Sequence, residues 1–348
     1  LLIYGAYGYT GKLITELAFP AGLEPVLAGR SLEPLEVFAS EFGAGVETRC
    51  FGLEDGAKID KALEDVHTVI HCAGPFSRTA MEMAKACIRT KTHYLDITGE
   101  IEVFESVHAL DAKARDAGVM LMPGAGFDVV PSDCLAAHLK RRLPTATSLM
   151  LALSMNSKPS RGTATTMIEN IHKGGVIRKD GQLTDVPSAW RKRTIEFGEG
   201  EVECMTLPSG DVSTAYYSTG IPNIEVYMAM PADFRMMAIF SRYFGFVLGS
   251  EPVQRLLKAQ IQRQPPGPTE DQREHGVSLL MGRVEDGEGN TAESRLRTPE
   301  GYKLTAKTAL YIAQQALSGN APAGFQTPSM AYGPDLILQF DDVSREDL

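Results

Sequence analysis

The chain has 348 residues, 34 Lys and Arg against 44 Asp and Glu, and a formal net charge of −10. That length is ample for two domains with separate cores, and the acidic balance excludes a nucleic-acid surface, which needs clustered Lys and Arg. Five scattered cysteines (Cys50, Cys72, Cys87, Cys134, Cys204) without a C-x-x-C give no disulfide framework and no metal site, and point to a reducing, cytoplasmic setting.

Leu1-Leu2-Ile3-Tyr4 reads as a short buried strand, followed by Gly5, Gly8 and Gly11 and the amphipathic run Lys12–Phe19. A strand that breaks into a glycine turn and opens a helix aims backbone N–H groups and the positive helix end at one point, which favours a diphosphate. Gly5 allows the tight turn, Gly8 lets phosphate oxygens approach the backbone, and Gly11 lets helix and strand pack closely. The spacing G-x-x-G-x-x-G departs from the commoner G-x-G-x-x-G, so its weight comes from the strand before it and the helix after it.

A second strand, Pro25–Ala28, ends in Gly29-Arg30-Ser31. An enzyme that uses NAD presents a carboxylate to the ribose at this place. Here no acid stands. A guanidinium at Arg30 and a hydroxyl at Ser31 suit a 2′-phosphate, hence NADP, against the alternative of a solvated arginine at a helix start. Glu33, the nearest acid, falls inside the following helix.

Helix Leu35–Phe42, a strand at Thr48–Phe51 and the short helix Asp60–Leu63 lead to a fourth strand, Thr68–Cys72, ending in Ala73-Gly74-Pro75-Phe76. The fourth strand opens the second half of a doubly wound sheet, so this turn flanks the ligand crevice. Gly74 and Pro75 would shape the backbone beside a nicotinamide, and Phe76 would pack on its ring or on substrate. Cys72, His71 and Tyr94 read as core. Helix Thr79–Arg89, strand His93–Ile97, helix Ile101–Ala117 and strand Val119–Met122 continue the rhythm of parallel βαβ units. The fold class expected is α/β, a Rossmann sheet with a second α+β domain. The sixth strand runs into Pro123–Asp133, where Pro131 and Asp133 read as the first turn of a helix reaching Arg142. Asp128 lies further out, on the strand-end face. Glu100 and Asp128 are the candidate catalytic proton donors, although a proton from water or substrate needs neither.

After Pro144 the texture is α+β, with extended runs at Leu149–Met155, Thr194–Met205, Asn223–Met230 and Val277–Val284, the last joined through Asp286–Asn290 to Thr291–Arg297 as a hairpin. Residues 143–302 are expected to form a domain that covers the crevice and pairs subunits into a homodimer. The core helix Leu304–Leu317 is expected to return, so that 303–348 complete the first domain, 1–142. Arg191-Lys192-Arg193 reads as a solvated turn. The most apolar segment, Phe234–Leu248, is interrupted by Arg235 and Arg242 and is too short to span a bilayer. A buried or subunit-facing helix is expected there in preference to peripheral membrane contact.

The motifs Gly5-Ala-Tyr-Gly-Tyr-Thr-Gly11, Ala28-Gly-Arg-Ser31, Cys72-Ala-Gly-Pro-Phe76, Tyr94-Leu-Asp-Ile-Thr-Gly-Glu100 and Gly126-Phe-Asp-Val-Val-Pro-Ser-Asp133 resemble the saccharopine dehydrogenase-like oxidoreductases. The branch most similar includes the trans-acting enoyl reductases. The resemblance continues in Arg161–Ile168, Gly210–Ala215 and Ser218–Asn223 and weakens after Met230. It implies an NADP-type Rossmann domain, a second sheet domain, and hydride transfer to or from a C=N, C=O or C=C bond of a small-molecule substrate. The cofactor contacts then fall on Gly5, Tyr7, Gly8, Tyr9, Thr10, Gly11, Arg30, Ser31, Cys72, Ala73, Gly74, Pro75, Phe76, Gly99, Gly126 and Phe127. It does not fix the substrate, because members that make saccharopine are similar mainly in the cofactor half. Two other readings stand beside it: a non-catalytic NADP(H)-binding redox sensor, favoured by the absence of an unmistakable acid–base pair, and a lipid-surface protein resting on Phe234–Leu248.

Overall fold

The computed structural model describes residues 1–230 and 232–348, with the side chains at 232–234 and 237 outside the description. The chain divides into two units, Leu1–Val130 with Tyr302–Ala331, and Pro131–Gly301 with Tyr332–Leu348.

The first unit alternates strand and helix: β1 (Leu2–Tyr4), α1 (Tyr9–Ala18), β2 (Val26–Gly29), α2 (Leu32–Ser40), β3 (Thr48–Cys50), α3 (Gly56–Leu63), β4 (Thr68–His71), α4 (Phe76–Thr90), β5 (His93–Asp96), α5 (Ile101–His108), α6 (Asp111–Ala117) and β6 (Met120–Met122). β1, β4 and β6 are buried at every residue, as strands covered on both faces must be; β1 and β6 are unbroken apolar runs, and β4 sets Val69 and Ile70 between Thr68 and His71. α4 buries Ala80, Met83, Ala84, Ala86 and Cys87, and Lys91 ends it in the left-handed region.

The second unit begins with α7 (Val130–Arg142) and continues through β7 (Ser148–Met155), α8 (Arg161–Asn170), the hairpin β8 (Gly175–Lys179) and β9 (Gln182–Val186), and the hairpin β10 (Lys192–Glu196) and β11 (Glu201–Thr206). Then come α9 (Asp211–Thr219), β12 (Asn223–Ala229), α10 (Ala232–Leu248), α11 (Glu251–Gln262), α12 (Glu270–His275), and the long hairpin β13 (Val277–Glu285) and β14 (Thr291–Pro299). The Asp286 carboxylate closes that hairpin by accepting from the N–H groups of Glu288 and Asn290, both at 2.9 Å. α13 (Gly301–Leu317), β15 (Gly324–Phe325) and α14 (Pro328–Tyr332) then return to the first unit, and β16 (Ser344–Asp347) closes the second.

The first sheet has the order β15-β6-β5-β4-β1-β2-β3 with every pair parallel, so the strand order reverses between β4 and β1, where such sheets bind ligands. The second is mixed, with the order β10-β11-β12-β7-β13-β14-β16, and β8 attached to β12 and β9. Among its described residues only β12 and β7 run parallel. The fold is the expected α/β Rossmann sheet with a second α+β unit.

Several expectations need correction. The division falls at Val130, not Arg142, because α7 packs on the second sheet: a Cβ at Gly282 of β13 would stand 2.5 Å from Leu139 and 3.2 Å from Leu135. Residues 332–348 also go with the second unit, since β16 pairs antiparallel with β14 and Asp335 takes ion pairs from Arg141 and Arg345. Ile101–Ala117 is two helices, because Asp111 starts a new one and its carboxylate accepts from Phe325 N–H at 2.8 Å. Arg191-Lys192-Arg193 is not a turn. It enters edge strand β10, with Arg191 paired to Glu225 and Arg193 donating to the Tyr227 hydroxyl. Of the two alternatives for Phe234–Leu248, a buried or a subunit-facing helix, the first fails: Phe240, Tyr243, Phe244 and Phe246 are exposed.

Candidate functional site

Five loops leave the carboxyl ends of β1, β2, β4, β5 and β6, and the predicted residues sit on them. In the β1–α1 turn Gly5 has φ of 81°, its N–H donates to Ala28 O at 2.8 Å, and Gly8 N–H closes back on Gly5 O at 2.9 Å. A Cβ at Gly11 would lie 2.2 Å from Gly5 O, and one at Gly8 would lie 3.1 Å from the same oxygen. The first glycine makes the turn and the third lets α1 pack on it. α1 starts at Tyr9 behind Gly8, with no side chain capping it and no acid in its first turn. Tyr7, Gly8, Tyr9 and Thr10 are half-buried around that start. This donor set fits the diphosphate of a dinucleotide: an electropositive helix end with nothing anionic of its own.

Tyr7 does something the sequence did not disclose. Its ring lies over Gly29, where a Cβ would come within 2.4 Å of Cε1, and its hydroxyl accepts from Ser31 N–H at 3.2 Å. The glycine turn thereby fixes the end of β2, where Arg30 is exposed and Ser31 half-buried at the start of α2. No carboxylate stands on Gly29, Arg30 or Ser31, which fits a phosphorylated ribose better than a bare one.

On the other side of the reversal point, Cys72, Ala73, Pro75 and Phe76 are half-buried and Gly74 is exposed. A Cβ at Gly5 would stand 3.1 Å from Ala73, so this turn abuts the glycine turn. His71 is fully buried, and burial lowers its pKa to about 3, so it is neutral. The Thr79 hydroxyl donates to Ala73 O at 2.8 Å, which makes His71 Nε2, 2.9 Å from that hydroxyl, the donor to it. His71, through Thr79, holds the turn in shape. Burial raises the Cys72 thiol far above its usual range, so it stays protonated.

Glu100 and Asp128 separate in kind. Both Glu100 carboxylate oxygens are engaged, accepting from Phe76 N–H at 2.8 Å and Ser77 N–H at 3.0 Å, so the side chain caps α4. Asp128 is exposed while Pro123–Phe127 and Val129 around it are buried. Its carboxylate rests on the Gly99 backbone, where a Cβ would come within 3.0 Å of Oδ2.

The loop that carries Asp128 is held from several directions. Asp96, fully buried, accepts from the N–H groups of Thr98 and Gly124 at 2.9 Å each and from the Tyr94 hydroxyl at 2.6 Å. Burial, opposed by those hydrogen bonds, raises its pKa to about 6. From α13, Thr305 Oγ1 accepts Phe127 N–H at 2.9 Å and Thr308 Oγ1 donates to Ala125 O at 2.8 Å. Tyr302 sets its ring edge-on to Tyr9 at 5.1 Å. Sequence reasoning missed Thr305, Thr308, Tyr302 and Thr79, and read Tyr94 as simple core. The predicted residues thus form two groups: Gly5–Gly11 with Gly29–Ser31 on β1 and β2, and Cys72–Phe76, Gly99, Glu100 and Gly126–Asp128 on β4, β5 and β6. Among the described residues no cluster of His, Cys, Asp and Glu suits a metal ion.

Residues 1–122 match the family model described as saccharopine dehydrogenase NADP binding domain. The saccharopine dehydrogenase-like oxidoreductase of Rattus norvegicus is 28% identical over 203 residues, 51% of this chain and 47% of that protein. The trans-acting enoyl reductase of Mycobacterium tuberculosis is 30% identical over 148 residues, 41% of this chain and 35% of that protein. The matches therefore span about half the length of these relatives or less. Among solved structures, saccharopine dehydrogenase (L-Glu forming) from Saccharomyces cerevisiae superposes with a TM-score of 0.65 at 14% identity, covering 100% of this chain and 99% of that one. Homospermidine synthase from Legionella pneumophila, in complex with NAD, gives 0.67 at 12% identity, covering 100% and 91%. At such identities the two structures establish a shared fold. The glycine turn, the uncapped helix start and the acid-free second strand end thus lie within the 122 residues that match the saccharopine dehydrogenase NADP binding domain model.

Proposed function

We propose that the chain is an NADP(H)-dependent oxidoreductase acting on a C=N, C=O or C=C bond of a small molecule. The observation that carries the reading is the juxtaposition of the uncapped start of α1 with the Tyr7-braced end of β2, which presents Arg30 and Ser31 and no acid. In this reading the Gly5–Gly11 backbone with Tyr7, Tyr9 and Thr10 binds the pyrophosphate, and Arg30 with Ser31 takes the 2′-phosphate. The turn Cys72–Phe76, with Gly99, Gly126 and Phe127, shapes the nicotinamide end. The bound cofactor supplies the hydride chemistry, and the protein orients it and manages one proton. Glu100, with both oxygens committed to α4, is a positioning residue. Asp128, exposed in a buried loop, is the group that passes the proton.

A charge-assisted contact of about 1.5–3 kcal/mol at Arg30 corresponds to roughly tenfold to a hundredfold preference for NADPH over NADH. Titrating both cofactors against the parent and Arg30→Glu tests this: the preference should disappear in the variant, and equal affinities in the parent overturn the 2′-phosphate assignment. In Asp128→Ala, NADPH affinity should hold while turnover falls about 10²-fold or more. Undiminished turnover removes Asp128 as proton handler.

A further inference from the structure

Helix α10 reverses the usual arrangement of an amphipathic helix. In α10, which kinks at Phe244, Met236, Phe240, Tyr243 and Val247 recur three to four residues apart, yet each is 37–68% exposed, and the neighbouring Phe244 and Phe246 reach 44% and 78%. The rings of Phe240 and Phe244 stack at 4.5 Å. Turned inward instead is Ser241, only 6% exposed, whose hydroxyl bonds Ser188 Oγ at 2.9 Å. An apolar stripe of this length facing water marks a surface that a partner covers.

Charge identifies the partner. Residues 232–263, spanning α10 and α11, hold five basic residues (Arg235, Arg242, Arg255, Lys258, Arg263) against Asp233 and Glu251, in a chain of net charge −10. Arg235, Arg255 and Lys258 pair with Glu203, Glu251 and Glu169. Arg242 and Arg263 are exposed and make no ion pair among the described residues. On α11, Leu256 is 68% exposed, and Arg263 lines the same shallow groove as Leu256, Ala259 and Gln260. A two-fold pairing of this face would set the cationic stretch against its own copy, whereas an anionic lipid surface satisfies the aromatic side chains and the arginines together. No helix of the described residues is long and apolar enough to cross a membrane, so these helices would lie in the interface.

We propose that α10 and α11 dock the protein on an anionic phospholipid surface, with Met236, Phe240, Tyr243 and Phe246 in the headgroup–acyl boundary and Arg242 and Arg263 against lipid phosphates. The test is flotation of the full chain with vesicles of phosphatidylcholine alone and of phosphatidylcholine with phosphatidylglycerol in equal parts, with light scattering run in parallel. The parent should float with the mixed vesicles and much less with the neutral ones. Tyr243→Ser with Phe246→Ser should lower binding to the mixed vesicles roughly tenfold, and Arg242→Gln with Arg263→Gln should erase the preference for anionic lipid. These positions are exposed, so unchanged circular dichroism and NADPH affinity are the folding controls. No flotation of the parent, or variants that float like the parent, overturns the proposal. So does a parent dimer that Tyr243→Ser with Phe246→Ser converts to monomer, which makes the face a subunit contact.

Discussion

The turn Gly5–Gly11 and the loop Gly124–Asp128 both leave the carboxyl end of a parallel strand and both require glycine, but different neighbours enforce it. At Gly11 the obstacle to a side chain is the Gly5 carbonyl, backbone against backbone within one turn. At Gly126 it is the Thr305 side chain, from a helix far along the chain. The first loop is held chiefly backbone to backbone, within itself and to Ala28 of β2, and the second by buried polar side chains: Asp96, Thr305 and Thr308. A turn held backbone to backbone tolerates little local substitution but draws no pH dependence from those bonds. A loop held by an ionisable buried group carries that group's pH dependence.

The largest effect should come from Gly11→Ala. A Cβ 2.2 Å from a backbone oxygen cannot be relieved by rotating a side chain, so either α1 shifts or the turn opens. We expect a loss upwards of about 3 kcal/mol, or failure to bind NADPH where the protein still folds, read by denaturant titration and cofactor fluorescence. A variant of parental stability and affinity would mean the turn is not rigid.

Next in size is the acid response of Asp96. Its folded pKa is raised from 3.8 to about 6, so its stabilising contribution is full below pH 3.8 and lost as pH rises through 6. His71, its register neighbour on β4, has the opposite sign: lowered from 6.5 to about 3, it makes the folded state lose stability as pH falls below 6.5. Between pH 4 and 6 the two slopes oppose each other. Asp96→Asn leaves His71 unopposed, so from pH 6 to pH 4 the variant should lose about 2–3 kcal/mol more than the parent in urea titrations. Parallel curves would show that Asp96 does not take up its proton in this range.

A smaller effect sharpens the contrast from the other side. Gly126→Ala should cost about 1–2 kcal/mol, since its Cβ would meet Thr305 Cγ2 at 2.7 Å. Thr305→Ser removes that methyl while keeping the oxygen that accepts Phe127 N–H, so the double variant should recover roughly half of the loss. No such rescue should exist for Gly11→Ala; strictly additive costs at 126 and 305 would break the comparison.

What could be read in the sequence follows the same line. Alternating apolar runs and amphipathic helices carried the parallel sheet, because burial on both faces leaves a local signature in β1, β4 and β6. The glycine turn was legible because its constraints lie within seven residues. The Asp128 loop was legible as an oddity but not as a held object: Thr305 is 178 residues from Phe127, and the face of α13 that reads clearly is its alanine and leucine stripe. The engagement of Glu100, a candidate proton donor in the sequence, was not legible there because its partners, Phe76 and Ser77 N–H, lie 24 and 23 residues earlier. In the second unit the β8–β9 hairpin escaped notice although Asp180-Gly181, with φ of 50° and 78°, is a hairpin turn signal. On α10 the inward residue is Ser241, bonded to Ser188, which periodicity alone does not reveal.

The return of Tyr302–Ala331 to the first unit has a consequence for biosynthesis. A ribosome exposes β1 through β6 early, yet the threonines that clasp the Asp128 loop emerge only after Pro131–Gly301 of the second unit have been made. Until then the nascent nucleotide fold lacks its last strand and its clasp, and any chain released before that point lacks them permanently.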